Sequence, residues 1–188
     1  MLAALYSSAG SILERHHLSQ TMCLINTKKC NILKHLDQTD YQEAIELLQH
    51  FILITDLANH FKHRAATENM VGKYDPNDAQ HQKLLSGLIM TCCDLSQVTK
   101  PTHLALATAR KIFEEFHQQG DKEKEYGVSP TSMMDREKTN LPVEQIGFLQ
   151  HVALPAYLNL AEIIPSASVF FESASSLKAY WQNQMSLN

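Results

Sequence analysis

Apolar residues recur along this chain at spacings of three and four, and nowhere does a period of two persist. Only six glycines and six prolines punctuate its 188 residues. A period near 3.6 with few breakers specifies amphipathic helices, so the chain is predicted to be all-α. Gly10-Ser11 opens a helix through Ile12, Leu13, His16 and Leu18 towards Leu24, and a turn follows near Lys28-Lys29. Thr39 and Gln42 have capping-box spacing, and the helix after them carries Ile45, Leu48, Ile52 and Leu53 to about Lys62. Its segment Phe51 to Ile54 is apolar on every face, which predicts a place at the centre of a multi-helix core.

Asp75-Pro76-Asn77-Asp78 reads as a turn opening a helix with Leu84, Leu85, Leu88, Ile89 and Cys92, ended before Pro101. The next runs from about Thr102 through Ala105, Ala109, Ile112 and Phe116, with Gly120 suited to its C-terminal cap. Residues 121–140 are charged and contain Pro130 and Met133-Met134, and are predicted to form a long ordered loop. From Leu141-Pro142 a long helix passes Ile146, Leu149, Val152 and Leu158 with a kink at Pro155. A last helix carries Phe170, Phe171, Leu177, Tyr180 and Trp181. No repeat and no linker divides the chain, so residues 1–188 are predicted to be a single unit.

A formal net charge of −4 and the absence of a basic, aromatic-interleaved stripe argue against nucleic acid or an anionic membrane as partner. Apolar runs such as Phe51 to Ile54 are too short for a membrane span. Met1-Leu2-Ala3-Ala4-Leu5 has no positive n-region and reads as helix rather than signal peptide. Cys23, Cys30, Cys92 and Cys93 form no CxxC pair or disulfide framework, which fits a reducing, cytoplasmic setting. Cys92 and Cys93 sit in an apolar run, where reduced cysteine behaves as a small hydrophobe.

Ten histidines are more than the length predicts, so a metal or acid–base site is worth seeking. Asp94, within Leu88-Ile89-Met90-Thr91-Cys92-Cys93-Asp94-Leu95, is a carboxylate in a stretch otherwise built for burial. Such a group must be paired, hydrogen-bonded or bound to a metal. Asp56, after Phe51 to Thr55, repeats the pattern. Both can equally be backbone caps or partners of a lysine or histidine. Glu14 and His17 share a helical face at i, i+3, a spacing that can build half a metal site or a surface pair. His60 and His63 have the same spacing among solvated-looking neighbours. Gln145, Phe148 and Met134 read as ordinary helix-surface or core residues. No phosphate-cradling glycine loop, nucleophile elbow or complete metal motif is present.

Several blocks taken together are distinctive. They are Leu5-Tyr6-Ser7-Ser8 before Leu13-Glu14-Arg15-His16-His17, Ile54 to Ala58, Met90 to Ser96 with Thr99-Lys100-Pro101, Glu115-Phe116 before Gln119-Gly120-Asp121, Met133 to Lys138, and Gln145 to Phe148. In order, spacing and sequence they resemble the class I cyclic-nucleotide phosphodiesterases over nearly the whole chain. The Glu-Arg-His-His and Met-Met-Asp-Arg-Glu versions look most like the cyclic GMP-stimulated branch.

The resemblance implies the C-terminal part, roughly two thirds, of a compact all-α, HD-domain-like catalytic domain that hydrolyses cyclic AMP or cyclic GMP. It implies that Asp94 ligates a tightly held zinc, and that Glu14 and Thr55 order waters around a second metal, usually magnesium. It further implies that Gln145 hydrogen-bonds the purine and Phe148 stacks on it. Leu95, Ile112 and Phe116 would lie on or near the opposite wall, and Met134 would line the pocket from a mobile segment at 121–140. Two subunits would pair as a homodimer. The family's His-Asn-x-x-His and His-Asp blocks, which supply the general acid and most metal ligands, occur nowhere in this sequence. They would lie upstream of Met1. Thr102 also stands where many relatives carry tryptophan after Lys-Pro, while the Trp181 region resembles the usual end of the domain. The alternative is a non-catalytic chain that binds nucleotide or pairs with a full-length subunit.

Overall fold

The structure is a computed structural model and describes residues 2–6 and 10–186. Met1, and Ser7 and Ser8 of the Leu5–Ser8 block, lie outside the described residues. Among the described residues the chain is helical throughout and contains no strand, as the apolar spacing requires. It divides into two compact units, Met1–Cys93 and Asp94–Asn188.

The first unit holds α1 (Leu2–Tyr6), α2 (Ile12–Ile25), α3 (Gln38–Ile54), α4 (Leu57–Met70) and nearly all of α5 (Ala79–Asp94). α2 packs on α1 and α3, and α3 packs on α4. The helix predicted from Thr39 to Lys62 is two helices. Its N-cap is Asp37, which accepts from the Asp40 amide at 2.9 Å, so Thr39 is not the cap. Asp56 breaks it by capping α4, accepting from the Ala58 amide at 2.9 Å and the Ser11 hydroxyl at 2.6 Å. That local hydrogen bonding competes with helix continuation, which is why an aspartate inside an apolar run stops it. Of the run Phe51 to Ile54 only Ile54 is buried. The run forms the last turn of α3, and its other three residues stay half-exposed within this unit, contrary to the central position predicted.

The second unit holds α6 (Thr102–Glu125), α7 (Leu141–Phe148), α8 (Leu154–Ile163) and α9 (Ser168–Ser186), with 3₁₀ turns at Ser96–Thr99, Ser132–Met134 and Pro165–Ala167. α9 packs on α7, α8 and the Ser96–Thr99 turn. Leu149, Ala153, Tyr157, Ala174 and Trp181 form the centre of this core. The Trp181 indole N–H is buried without a partner among the described residues. Its desolvation costs about 1–3 kcal/mol. Burying 150–250 Å² of aromatic ring gains about 4–6 kcal/mol, so tryptophan is still favoured there.

Helical backbone runs without a gap from Leu141 to Ile163, as predicted, and Pro155 falls within it. A π turn at Leu149–Ala153 precedes Pro155, which falls in the first turn of α8, where its missing N–H and its ring are accommodated. Gly120 does not cap α6, which continues through Lys122–Glu125 to Tyr126. It is buried, and an added Cβ would meet the Met134 backbone, 2.9 Å from its carbonyl carbon. The missing side chain lets the following segment cross α6.

Candidate functional site

A cavity of about 120 Å³ opens in the second unit. α6 supplies one apolar wall through Ile112, Phe113 and Phe116, with the two rings edge-to-face at 5.6 Å. α7 supplies Phe148 together with Gln145 and Glu144. This helix starts where it does because Asn140 caps it, accepting from the Val143 amide at 3.2 Å, and Pro142 suits its first turn. Gln97 from the Ser96–Thr99 turn and Met133 from the Ser132–Met134 turn complete the lining. The result is an apolar slot with three polar side-chain heads at its surface.

Ile112 and Phe116 on α6 and Gln145 and Phe148 on α7 are thus brought together. Leu95 is buried and takes no part in the lining. Met133 stands at the cavity where Met134 was expected; Met134 is the residue whose backbone crosses Gly120. Gln97, Phe113 and Glu144 carried no sequence signal, since each is an ordinary helix or turn residue until the fold assembles the slot, and Met133 was marked only as the start of the Met133 to Lys138 block.

The segment that delivers Met133 is tied to α6. Asp135, only 2% exposed, accepts from the ammonium groups of Lys124 at 2.7 Å and Lys138 at 3.2 Å, and from the Glu137 amide at 3.1 Å. The Lys124 hydrogen bond, with the Glu137 amide behind it, holds its carboxyl down at about 2. Arg136 forks onto Glu114 at 2.7 and 2.8 Å and reaches Asp121 at 2.8 Å, and this guanidinium holds the Glu114 carboxyl at about 2. The Thr139 hydroxyl lies 2.9, 2.9 and 2.7 Å from the carbonyls of Ser132, Met133 and Asp135, and 3.2 Å from His117 Nε2. Residues 121–125, predicted as loop, belong to α6, because the charged run Lys122 to Glu125 is its solvated face.

Asp94 is exposed, at the last position of α5 and the first of the second unit. The buried face of this stretch is Leu88, Thr91, Cys92 and Leu95, a helical i, i+3, i+4, i+7 row that leaves Cys93 and Asp94 on the open side. The burial expected for Asp94, and for Cys93, is therefore not observed. Cys92 is buried, and desolvation pushes its thiol up to about 12. Asp94 forms no hydrogen bond or ion pair among the described residues.

Glu14 is half-buried on α2 and His17 is exposed. Thr55 ends α3 and donates its hydroxyl to the Ile52 carbonyl at 2.8 Å. His60, expected among solvated neighbours, is 8% exposed and lines a second cavity of about 110 Å³ with His50 and His63. His50 Nε2 donates to the Lys83 carbonyl at 3.2 Å, and His63 Nδ1 to the Asn59 carbonyl at 2.7 Å. Burial holds both the His50 and the His60 imidazole below their ordinary value. Among the described residues no three His, Cys, Asp or Glu side chains converge closely enough to hold a metal ion. The donors present therefore do not close a metal site, which takes three or four protein ligands for zinc. None of the described helices is long and apolar enough to cross a membrane.

Comparison with known proteins assigns this architecture. Residues 1–174 match the family described as 3'5'-cyclic nucleotide phosphodiesterase. A probable 3',5'-cyclic phosphodiesterase pde-5 of Caenorhabditis elegans is 36% identical over 184 residues, covering 96% of this chain and 25% of that protein. The cGMP-specific 3',5'-cyclic phosphodiesterase of Drosophila virilis is 36% identical over 186 residues, with 97% and 21% covered. The chain thus spans about a quarter or less of these relatives. A solved structure described as LmjPDEB1 in complex with IBMX superposes with a TM-score of 0.92 at 29% identity, covering all of this chain and 57% of that one. On the match across most of its length, the chain belongs to the 3'5'-cyclic nucleotide phosphodiesterase family.

Proposed function

We propose that the chain forms the base-binding part of a cyclic-nucleotide phosphodiesterase, which adds water across the P–O3′ bond of cyclic AMP or cyclic GMP to leave the 5′-nucleotide. The observation that supports this reading most is the convergence of Gln145 and Phe148 with Ile112 and Phe116 on one apolar cavity. A purine is a flat apolar plate with polar edges. Phe148 would stack on one face, the α6 wall would meet the other, and the Gln145 amide would bond the edge as donor or acceptor. Residues 1–188 would together be the C-terminal part, roughly two thirds, of one catalytic domain.

Zinc and magnesium belong to this proposal, with Asp94 giving one carboxylate and Glu14 and Thr55 ordering water. The donors present among the described residues do not by themselves close a site for either ion. A cytoplasmic location and pairing as a homodimer are further parts of the proposal; cysteines outside any disulfide at Cys23, Cys30, Cys92 and Cys93 support the former. A second reading, nucleotide binding without turnover, is favoured by one observation: neither the His-Asn-x-x-His nor the His-Asp block occurs in the sequence.

Equilibrium binding of cyclic nucleotide, followed by turnover with added zinc and magnesium, separates the two. Gln145→Ala removes a contact worth about 1–3 kcal/mol and should weaken binding about 5- to 150-fold. Phe148→Ala should weaken it through lost stacking. Unchanged affinity in both variants would remove the pocket. Binding without turnover would select the second reading, and turnover abolished by Asp94→Asn the first.

A further inference from the structure

Glu144 is the one acidic side chain among those that line the purine cavity. Three nearby carboxylates are engaged: Glu114 and Asp121 by Arg136, and Asp135 by Lys124 and Lys138. Glu144 side-chain oxygens have no hydrogen bond or ion pair among the described residues, and neither do the amide heads of Gln145 and Gln97. Three polar heads left open at the rim of an apolar slot are the complement of a ligand with its own donors and acceptors.

An ionised carboxylate only accepts hydrogen bonds. Guanine presents two adjacent donors, N1–H and the 2-amino group, spaced to meet the two carboxylate oxygens side by side. Adenine presents an acceptor lone pair at N1, which can only oppose the lone pairs of a carboxylate, and a single donor group, its 6-amino group. Hypoxanthine keeps N1–H but lacks the 2-amino group. Gln145 and Gln97, each with one amide oxygen and one NH₂, can serve either a 6-oxo or a 6-amino group and so do not choose between bases. The choice falls to Glu144.

We propose that Glu144 is a specificity-determining residue that makes this cavity select guanine, its carboxylate accepting from N1–H and the 2-amino group. The proposal rests on the reading of the cavity as a purine site. Its competitor is that Glu144 is there to favour the N-terminal end of α7 as an acidic first-turn residue. That role affects helix stability alone.

The test is equilibrium binding of cyclic GMP, cyclic IMP and cyclic AMP to the full chain, and to Glu144→Gln, Glu144→Met, Gln145→Ala and Phe148→Ala, with circular dichroism and thermal melting of each. Binding rather than turnover is read, so the metal centre does not enter. Cyclic GMP should bind about 10- to 150-fold more tightly than cyclic AMP, the range for charge-assisted hydrogen bonds, with cyclic IMP between them. Both Glu144 variants should collapse the preference to within about threefold by weakening cyclic GMP, with cyclic AMP unchanged or tighter. Glu144→Gln is nearly isosteric and guards against a folding defect in Glu144→Met. No preference in the parent chain, or a preference that survives both substitutions, overturns the proposal. If Gln145→Ala and Phe148→Ala weaken all three nucleotides while the Glu144 variants change only the melting temperature, the purine cavity stands and Glu144 is a helix residue. If no variant alters binding, or none of the nucleotides binds, the cavity reading falls and this proposal with it.

Discussion

Two glycines on facing helical elements of the same unit should respond oppositely to the same substitution. Gly120→Ala and Gly147→Ala each replace a helical glycine with the best helix former, a gain of about 1 kcal/mol from propensity alone. At Gly147 a new Cβ meets nothing within 4 Å, so the gain is kept. At Gly120 it would lie 2.9 Å from the carbonyl carbon and 3.2 Å from the Cβ of Met134, and closer still to the carbonyl oxygen. Backbone cannot swing aside as a side-chain tip can, and the Met134 backbone is anchored through Asp135 and Arg136. Overpacking of this kind costs about 1–3 kcal/mol, and contact with fixed backbone puts it at the upper end, so with the propensity gain subtracted the net loss reaches about 2 kcal/mol. For a chain of this size that lowers Tm by about 4–8 °C, while Gly147→Ala raises it by about 2–4 °C. Gly120→Ala should also weaken nucleotide binding, because Met133 moves with the displaced turn. Thermal melts of the two variants decide the matter. Two stabilised proteins would mean that the turn is not held against α6.

Asp56→Ala should cost about 1 kcal/mol in chemical denaturation, through loss of the α4 cap and the Ser11 bond, and Asp56→Asn clearly less. His50 and His60 are held below the ordinary imidazole value mainly by burial, so their neutral forms stabilise the folded state above pH 6.5. That contribution is lost as pH falls below 6.5 through the folded values, with Arg64, His63 and Lys83 adding positive charge nearby; His60→Phe should flatten the stability–pH curve there. Glu114 and Asp135, held at about 2, stabilise above the ordinary carboxyl range and should lose that effect between about pH 4.5 and 2. Arg136→Ala should raise protease sensitivity near Tyr126–Thr131 before it changes far-UV circular dichroism.

The helical class and the position of most helices were legible because burial of one stripe per helix writes a 3.6-residue period into the sequence. The four pocket residues Ile112, Phe116, Gln145 and Phe148 were found through family resemblance, not through any local pattern. Tertiary structure decided what local pattern does not encode. Asp56 looked like Asp94, a carboxylate after an apolar run, yet one caps a helix and the other faces solvent on the open side of α5. An apolar run marks a hydrophobic stretch, but only the angular position of the next residue, set by which face is packed, says whether its charge is buried. Gly120 read as a stop signal and proved to be a crossing point. Glycine means either freedom of φ or absence of a side chain, and the choice depends on a segment fourteen residues further on. Glu144 likewise became a candidate for recognition only when α6, α7 and two 3₁₀ turns closed around one slot. Helical period is a property of neighbours in sequence; a cavity is a property of neighbours in space.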